Sequence, residues 1–318
     1  MLSNSIKPVI NRLWSSSFEP YLGSLGEIKK HREDKLKYPT LEGAIETFQQ
    51  RWSGVKSSCD SQPIFIFSAG WRSGSTLLQR LLMSSGQVLI WGEPYSHNGL
   101  IDHLSFPLKG ITDIFPRDPW FAHSNVSNTE SLMNDFTANL YPDINYLINS
   151  HTSFILNLFE KPAQDNGIER WGIKEVRLTI DHAFYLNWLF PQAKFIFLYR
   201  NPYDAYRSYS GSYWYKKWPH EPVYTAKHFG QNWHNLLTGY TKGYKKLNSI
   251  LLSYENLCSE DFDFDSLAEF LDLDINRNVI QKKVKGNIKW KEDRASRREM
   301  RLLKKVVEPL ASSLGYEE

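Results

Sequence analysis

Pro63-Ile64-Phe65-Ile66-Phe67-Ser68-Ala69-Gly70-Trp71-Arg72-Ser73-Gly74-Ser75-Thr76-Leu77-Leu78 is the stretch on which the fold turns. Ile64 to Phe67 is wholly apolar, too short for a helix, and ended by Ser-Ala-Gly, so it reads as a parallel strand buried on both faces. From Ser75 to Ser84, Leu77, Leu78, Leu81 and Leu82 recur at helical spacing. In the turn between them Gly74 permits close approach of backbone to a ligand, and Ser75 and Thr76 open a helix whose unpaired N–H groups face the same point. A strand, a Gly-Ser-rich turn and a helix in this order form an anion cradle, or else a turn with no ligand. Arg72 inside the turn favours the cradle, because its planar fork matches a sulfuryl or phosphoryl group.

Working outward, strand-like runs recur at Gln87 to Trp91, Trp171 to Lys174, Lys194 to Tyr199 and Ser249 to Tyr254, with helical stretches between most of them. The alternation predicts an α/β fold: a single domain with a central parallel sheet flanked by helices and a P-loop-like strand-turn-helix nucleotide site. Residues 1–60 are polar and broken by Pro8, Pro20, Gly23, Gly26 and Pro39, with one helix from Leu41 to Trp52. They read as an arm packed on a main domain of residues 61–318. Residues 101–130, rich in Gly, Pro, Ser and Asn, read as a long loop or lid. A helical block from Ile144 to Glu160 precedes the Trp171 strand, and Met300, Leu303, Val306, Val307 and Leu310 mark an amphipathic closing helix.

The 318 residues, 41% hydrophobic and 23% charged, describe an ordinary globular protein and exclude disordered, collagenous and coiled-coil classes. Cys59 and Cys258 lie far apart with no second Cys or His at metal spacing, so neither a disulfide framework nor a zinc site is expected. The N-terminus lacks a signal-like apolar stretch, and no apolar run approaches the ~20 residues of a membrane span. A cytoplasmic protein without membrane attachment follows as the expectation. A net charge of +3 makes no global argument for nucleic acid, although basic residues crowd into Lys282 to Lys305.

The turn is not a P-loop. That motif needs Gly-x4-Gly-Lys-Ser/Thr, so that Lys reaches the terminal phosphates and the hydroxyl holds magnesium. Here three residues separate Gly70 from Gly74, and Ser75 stands where the Lys belongs. Magnesium-dependent phosphoryl transfer by a degenerate P-loop kinase or NTPase is therefore the alternative reading.

The segment Arg72-Ser73-Gly74-Ser75-Thr76 resembles the 5′-phosphosulfate loop of the sulfotransferase family. Phe195-Ile-Phe-Leu-Tyr-Arg200-Asn201-Pro202-Tyr-Asp204-Ala-Tyr-Arg-Ser208 resembles that family's 3′-phosphate motif, a strand ending in Arg with Ser eight residues later on the next helix. Locally, Asn201 can cap and Pro202 suits the first helical turn. The resemblance, over most of residues 63–260, implies the donor 3′-phosphoadenosine 5′-phosphosulfate (PAPS) and the product PAP. It puts Arg72, Ser73, Gly74, Ser75 and Thr76 on the 5′ end and Arg200 and Ser208 on the 3′-phosphate. Two weaker matches extend it: Tyr254 in Leu252-Ser-Tyr-Glu-Asn-Leu257 near the adenine, and Lys285-Gly286 in a closing C-terminal loop. An ordinary strand-end Tyr and a solvated basic face are the alternatives for these two.

Sulfuryl transfer asks for a base on the acceptor, cations for charge building on the leaving phosphate, and exclusion of water, with no metal. The chain is most similar to the tyrosyl-protein and bacterial branches, with Arg in the loop and Gly-Glu after the second strand. That similarity implies Glu93, in Trp91-Gly-Glu-Pro94, as the base; His97 is the second candidate, with a near-neutral pKa on the same loop. Lys174, in Trp171-Gly-Ile-Lys-Glu175, resembles the Lys that faces the transferring group. His103 and His151 are further histidines to which no motif points. Trp120, Tyr213, Trp214, Tyr215 and Trp218 line an aromatic acceptor pocket or pack in the core. A small-molecule acceptor carrying a hydroxyl or amine is expected, with no nucleic-acid partner; a polyanion binder using the basic C-terminal stretch is the non-enzymatic alternative. The motifs specify neither the acceptor nor an oligomeric state.

Overall fold

The computed structural model describes residues 39–94, 99–121, 140–210, 223–281 and 295–318, with residues 130 and 133 besides. His97, Tyr213, Trp214, Tyr215, Trp218, Lys285 and Gly286 lie outside the described residues. Leu41 to Glu318 form one compact unit.

At its centre is a single sheet of five parallel strands: β1 (Ile64–Ser68), β2 (Val88–Gly92), β3 (Arg170–Glu175), β4 (Lys194–Tyr199) and β5 (Ser249–Ser253). Their spatial order is β2-β3-β1-β4-β5. β1 lies between β3 and β4, with Phe65 opposite Ile173 on one side and Phe195 on the other. All five of its residues are buried, as expected for a strand covered on both faces.

Alternation along the strands builds two cores. Phe65, Phe67, Trp171, Phe195 and Phe197 face one layer, which holds most of the helices. Ile64, Ile66, Ile90, Ile196 and Leu198 face the other. The aromatic side interlocks edge to face, with Phe65 and Trp171 centroids 5.9 Å apart and Phe67 and Phe197 5.8 Å apart.

In chain order the described helices are α1 (Leu41–Arg51), α2 (Ser75–Met83), α3 (Leu100–Ser105), α4 (Asn145–Ile155), α5 (Lys161–Asp165), α6 (Ile180–Leu189), α7 (Pro202–Ser210), α8 (Ala226–Gly243), α9 (Tyr254–Leu257), α10 (Phe264–Leu271) and α11 (Arg297–Ser313). Leu78, Leu81 and Leu82 of α2 and Leu267 and Leu271 of α10 cover the aliphatic side. Trp233, Leu237 and Tyr240 of α8 and Leu186 of α6 cover the aromatic one. The closing amphipathic helix is present as α11, burying Met300, Leu303, Val307 and Ala311 and capped by Ser296 with Glu299.

Three places differ from the sequence reading. Part of the expected lid is helical, with α3 running into a 3₁₀ turn at Phe106–Gly110 and a second at Asp118–Trp120. The block expected from Ile144 to Glu160 is α4 followed by a π turn, Leu156–Glu160, which leads into Pro162. A Pro ring lacks the N–H of an α ladder and crowds the carbonyl four residues back, and the wider turn accommodates it. Tyr254, expected as the end of a strand, instead opens α9, where Ser253 Oγ accepts from Asn256 N.

Candidate active site

Because the strands are parallel, their carboxyl ends share one edge, and each of the five delivers a candidate side chain there: Arg72 after β1, Glu93 after β2, Lys174 on β3, Arg200 after β4 and Tyr254 after β5. β1 leads through α2 on the aliphatic face toward β2, whereas β4 leads through α7 and α8 on the other face toward β5. Their carboxyl ends thus flank the topological switch point, the crevice in which open α/β sheets hold ligands.

The β1–α2 turn is held by β4 and by a hydroxyl of its own. Ala69 N donates to Leu198 O at 2.8 Å, and Ser73 Oγ donates to Gly70 O at 3.0 Å. Gly74, the residue capping α2, has φ 89° and no side chain to accept from the N–H groups of the first turn. Among the described residues no acceptor meets the amides of Ser73, Gly74, Ser75 or Thr76. A Cβ on Gly74 would fall within the Tyr254 ring, so glycine is required both by its φ and by the aromatic side chain lying over it.

Of the three described non-glycine residues with positive φ, two are Arg72 (64°) and Glu93 (36°). The left-handed turn at Arg72 sends its side chain across the crevice, where Nε donates to Ser208 Oγ at 2.9 Å. Arg200 Nη1 donates to Arg72 O at 3.1 Å, and its guanidinium stacks 4.5 Å from the Tyr254 ring centroid. Arg72, Ser208, Arg200 and Tyr254 therefore form one cluster. Arg200 Nε is buried and, among the described residues, meets no acceptor. Burial first, and then the charge of Arg200, lowers the Arg72 pKa. Two facing guanidiniums with a spare buried donor and four open amides suit a polyanionic ligand.

The supports are polar and specific. Asn201 Oδ1 caps α7 through Tyr203 N at 2.9 Å, and Asn201 N donates to Glu255 Oε1 at 2.9 Å. Trp233 Nε1 donates to Arg200 O at 3.0 Å, which fixes the strand end carrying the guanidinium.

Two strands away, Glu93 N donates to Lys174 O at 2.7 Å, extending the β2–β3 ladder by one residue. The left-handed turn then folds the Glu93 carboxylate onto Lys174 Nζ, 2.5 Å from Oε1, with the Lys174 side chain only 6% exposed. A positive φ on a non-glycine residue costs of order 1–3 kcal/mol and tends to occur where function requires it. The next residue on β3, Glu175, is also buried and pairs with Arg177 at 2.5 Å. Burial raises its pKa against the pull of Arg177, and the charge of Glu93 raises it further.

Beside Glu93 opens a cavity of about 440 Å³, walled by Pro94, α3, the segment after β3 and the start of α6. Its polar feature, not singled out from the sequence, is His182 paired with Asp102: Nε2 lies 3.1 Å from Oδ1. Thr179 N donates to His182 Nδ1 at 3.1 Å, so Nε2 carries the proton and Asp102 accepts. A Thr ahead of an apolar run with a polar residue three positions on is the signal that could have marked His182 as part of a helix cap. The partnership with Asp102, 80 residues away, leaves no such mark. His103 lines the same cavity. His151 lies in another, 2.8 Å from Tyr185 Oη, with its pKa lowered by burial. Among the described residues no three His, Cys, Asp or Glu side chains gather as metal ligands, and no helix is long and apolar enough to cross a membrane.

The chain is similar to a sulfotransferase domain from the curacin biosynthetic pathway (16% identity, TM-score 0.45, covering 82% of this chain and 99% of that one). It is also similar to a sulfotransferase domain from the Synechococcus PCC 7002 olefin synthase (17% identity, TM-score 0.41, 83% and 99%). Both likenesses are distant and carry no weight on substrate. No curated protein matches the chain. The family model described as "Sulfotransferase family" matches residues 63–277, from the first residue before β1 to the turn after α10, and on that match the chain belongs to the sulfotransferase family.

Proposed function

We propose that this chain transfers a sulfuryl group from PAPS to a hydroxyl or amine of a small-molecule acceptor, with Glu93 as the general base. The observation that carries the reading is the meeting of Arg72, Arg200 and Ser208 at the switch point, beside the open amides of the β1–α2 turn. A donor with phosphates at both ends of an adenosine matches that set: the amides of Ser73 to Thr76 with Arg72 for the 5′ end, Arg200 and Ser208 for the 3′-phosphate, and Tyr254 against the base. The resemblance adds Lys285 and Gly286 to the donor-binding set. When bound, the donor supplies a sulfuryl group attached to a phosphate that leaves readily.

The chain's own residues do the rest. Glu93 Oε1 is held by Lys174 Nζ, which leaves Oε2 to take the acceptor's proton. Lys174 supplies a buried positive charge at the same edge, where low polarity strengthens it toward developing negative charge. The two guanidiniums orient the donor, and the turn amides favour the anionic end of it. His97 is the second candidate for the base. We assign the protein to a cytoplasmic setting with a soluble acceptor and no nucleic-acid partner.

The test is incubation of the purified protein with PAPS and a panel of hydroxylated and amino acceptors, reading products by mass. The expected result is one sulfonated product and an equal amount of PAP, unchanged by chelators. Magnesium-dependent ATP turnover without sulfonation would favour the degenerate P-loop kinase instead.

A further inference from the structure

We infer that Tyr316, just past α11, is a positioning residue for the 3′-phosphate site: its hydroxyl holds Glu255, and Glu255 holds the peptide unit from which the Arg200 side chain projects. This inference rests on the donor reading above and extends it to a residue in none of the motifs that carry the resemblance. The local sequence accounts for where Tyr316 sits. α11 ends in a Schellman turn, in which Gly315, at φ 77°, donates to Ser312 O at 3.0 Å and Tyr316 N donates to Ala311 O at 3.0 Å. The reversal brings the Tyr316 ring onto Tyr199, the last residue of β4, with centroids 6.3 Å apart. From there Oη donates to Glu255 Oε2 at 2.7 Å. Burial, and then this bond, raise the Tyr316 pKa, so the hydroxyl keeps the proton it donates.

Glu255 is the second residue of α9, and its other oxygen, Oε1, accepts from Asn201 N at 2.9 Å. The N–H of Asn201 and the C=O of Arg200 belong to one planar unit, and Trp233 Nε1 donates to that C=O at 3.0 Å. The unit is therefore gripped at both ends, by a carboxylate and by an indole. Tyr254, which precedes Glu255, stacks on the Arg200 guanidinium at 4.5 Å, so the same short helix meets Arg200 at its backbone and at its head. A helix of four residues has little stability of its own, and Tyr316 ties this one down from outside.

This outer layer matters because the guanidinium has little else to aim it. Among the described residues no carboxylate pairs with Arg200; Nη1 meets the Arg72 carbonyl, and the buried Nε has no acceptor. A forked hold on a phosphate tolerates only about 0.5 Å of misplacement. The backbone unit behind Arg200 must then stay fixed, and Glu255 with Tyr316 fixes it.

The test titrates PAP and adenosine 5′-phosphate calorimetrically into wild type, Tyr316→Phe, Glu255→Ala, the double variant and Val307→Ala. Phe keeps the ring on Tyr199 and removes only the hydroxyl. Tyr316→Phe should weaken PAP about 3- to 30-fold and leave adenosine 5′-phosphate within about twofold, the range for coupling through one hydrogen-bonded network. Glu255→Ala should lower the preference for PAP at least as far, and adding Tyr316→Phe to it should change nothing more. Val307→Ala empties a wholly buried place on the same helix, so it should melt earlier yet keep the wild-type preference. An unchanged preference in Tyr316→Phe, an equal loss of both nucleotides, a further loss in the double variant, or a lost preference in Val307→Ala each overturns the proposal and leaves the donor reading intact. A wild type that does not prefer PAP overturns both.

Discussion

Replacing Gly74 by Ala tests how the nucleotide cradle is built. At φ 89° and ψ 8° a residue with a Cβ pays about 1–2 kcal/mol for the left-handed backbone alone. The new Cβ also falls inside the Tyr254 ring, which must swing away and lose its stacking under Arg200 at 4.5 Å, a contact of about 0.5–2 kcal/mol. Together the two effects predict a loss of about 1.5–4 kcal/mol, or a fall in Tm of roughly 3–7 °C for a unit of this size. PAP affinity should drop as well, by about tenfold or more, because the displaced ring crowds the turn amides. Calorimetric melts with and without PAP measure both. Adding Tyr254→Ala should recover part of the stability, so that the double variant is less destabilised than the sum of the singles by about 1 kcal/mol or more. Strict additivity, or a Gly74→Ala protein that melts and binds PAP like wild type, would refute the overlap on which this rests.

Steady-state kinetics should divide the candidate residues. Glu93→Gln is expected to lower kcat about 10²- to 10⁴-fold and Lys174→Ala about 10²- to 10³-fold, each with donor affinity largely kept. Arg72→Ala and Arg200→Ala should instead weaken donor binding, and equal loss of donor affinity in all four would defeat that division. Arg51 donates to the carbonyls of Thr112, Phe115 and Pro116 and to Asp118. Arg51→Ala should therefore cost about 1.5–3 kcal/mol in denaturant unfolding, with little rescue by Lys, whose single ammonium cannot span those acceptors. For His151, burial lowers the folded pKa below the unfolded one, so its contribution is present above about 6.5 and is lost as pH falls through the folded value. Wild-type Tm should consequently fall more steeply between pH 7 and 5 than that of His151→Gln, and identical slopes would count against a buried neutral imidazole.

The sheet was legible because each strand is a short apolar run closed by a polar or glycine-rich turn; Ile64–Phe67 and Phe195–Leu198 could hardly be placed elsewhere. Parallel pairing then carries Arg72, Glu93, Lys174, Arg200 and Tyr254 to one edge with no further information. What the sequence concealed depends on side-chain direction. That Arg72 reaches Ser208, the residue assigned by resemblance to the other end of the donor, follows from a left-handed φ that an Arg does not advertise. The Glu93–Lys174 pair hides in the same way, behind an unusual φ after a strand. The segment after Gly99 read as loop because its Gly and Pro residues outweigh two short turns of helix, and short helices are stabilised by packing rather than propensity. The Asp102–His182 contact joins that segment to α6, a pairing that only the folded chain brings about.

The account stands on two guanidiniums sharing one adenosine-based ligand, and calorimetric titration of wild type with PAP against adenosine 5′-phosphate addresses it most directly. It predicts tighter binding of PAP by about 100-fold or more without magnesium, since the 3′-phosphate meets Arg200 and Ser208, with that preference abolished in Arg200→Ala. Equal affinity for the two nucleotides, or a preference that survives Arg200→Ala, would contradict it.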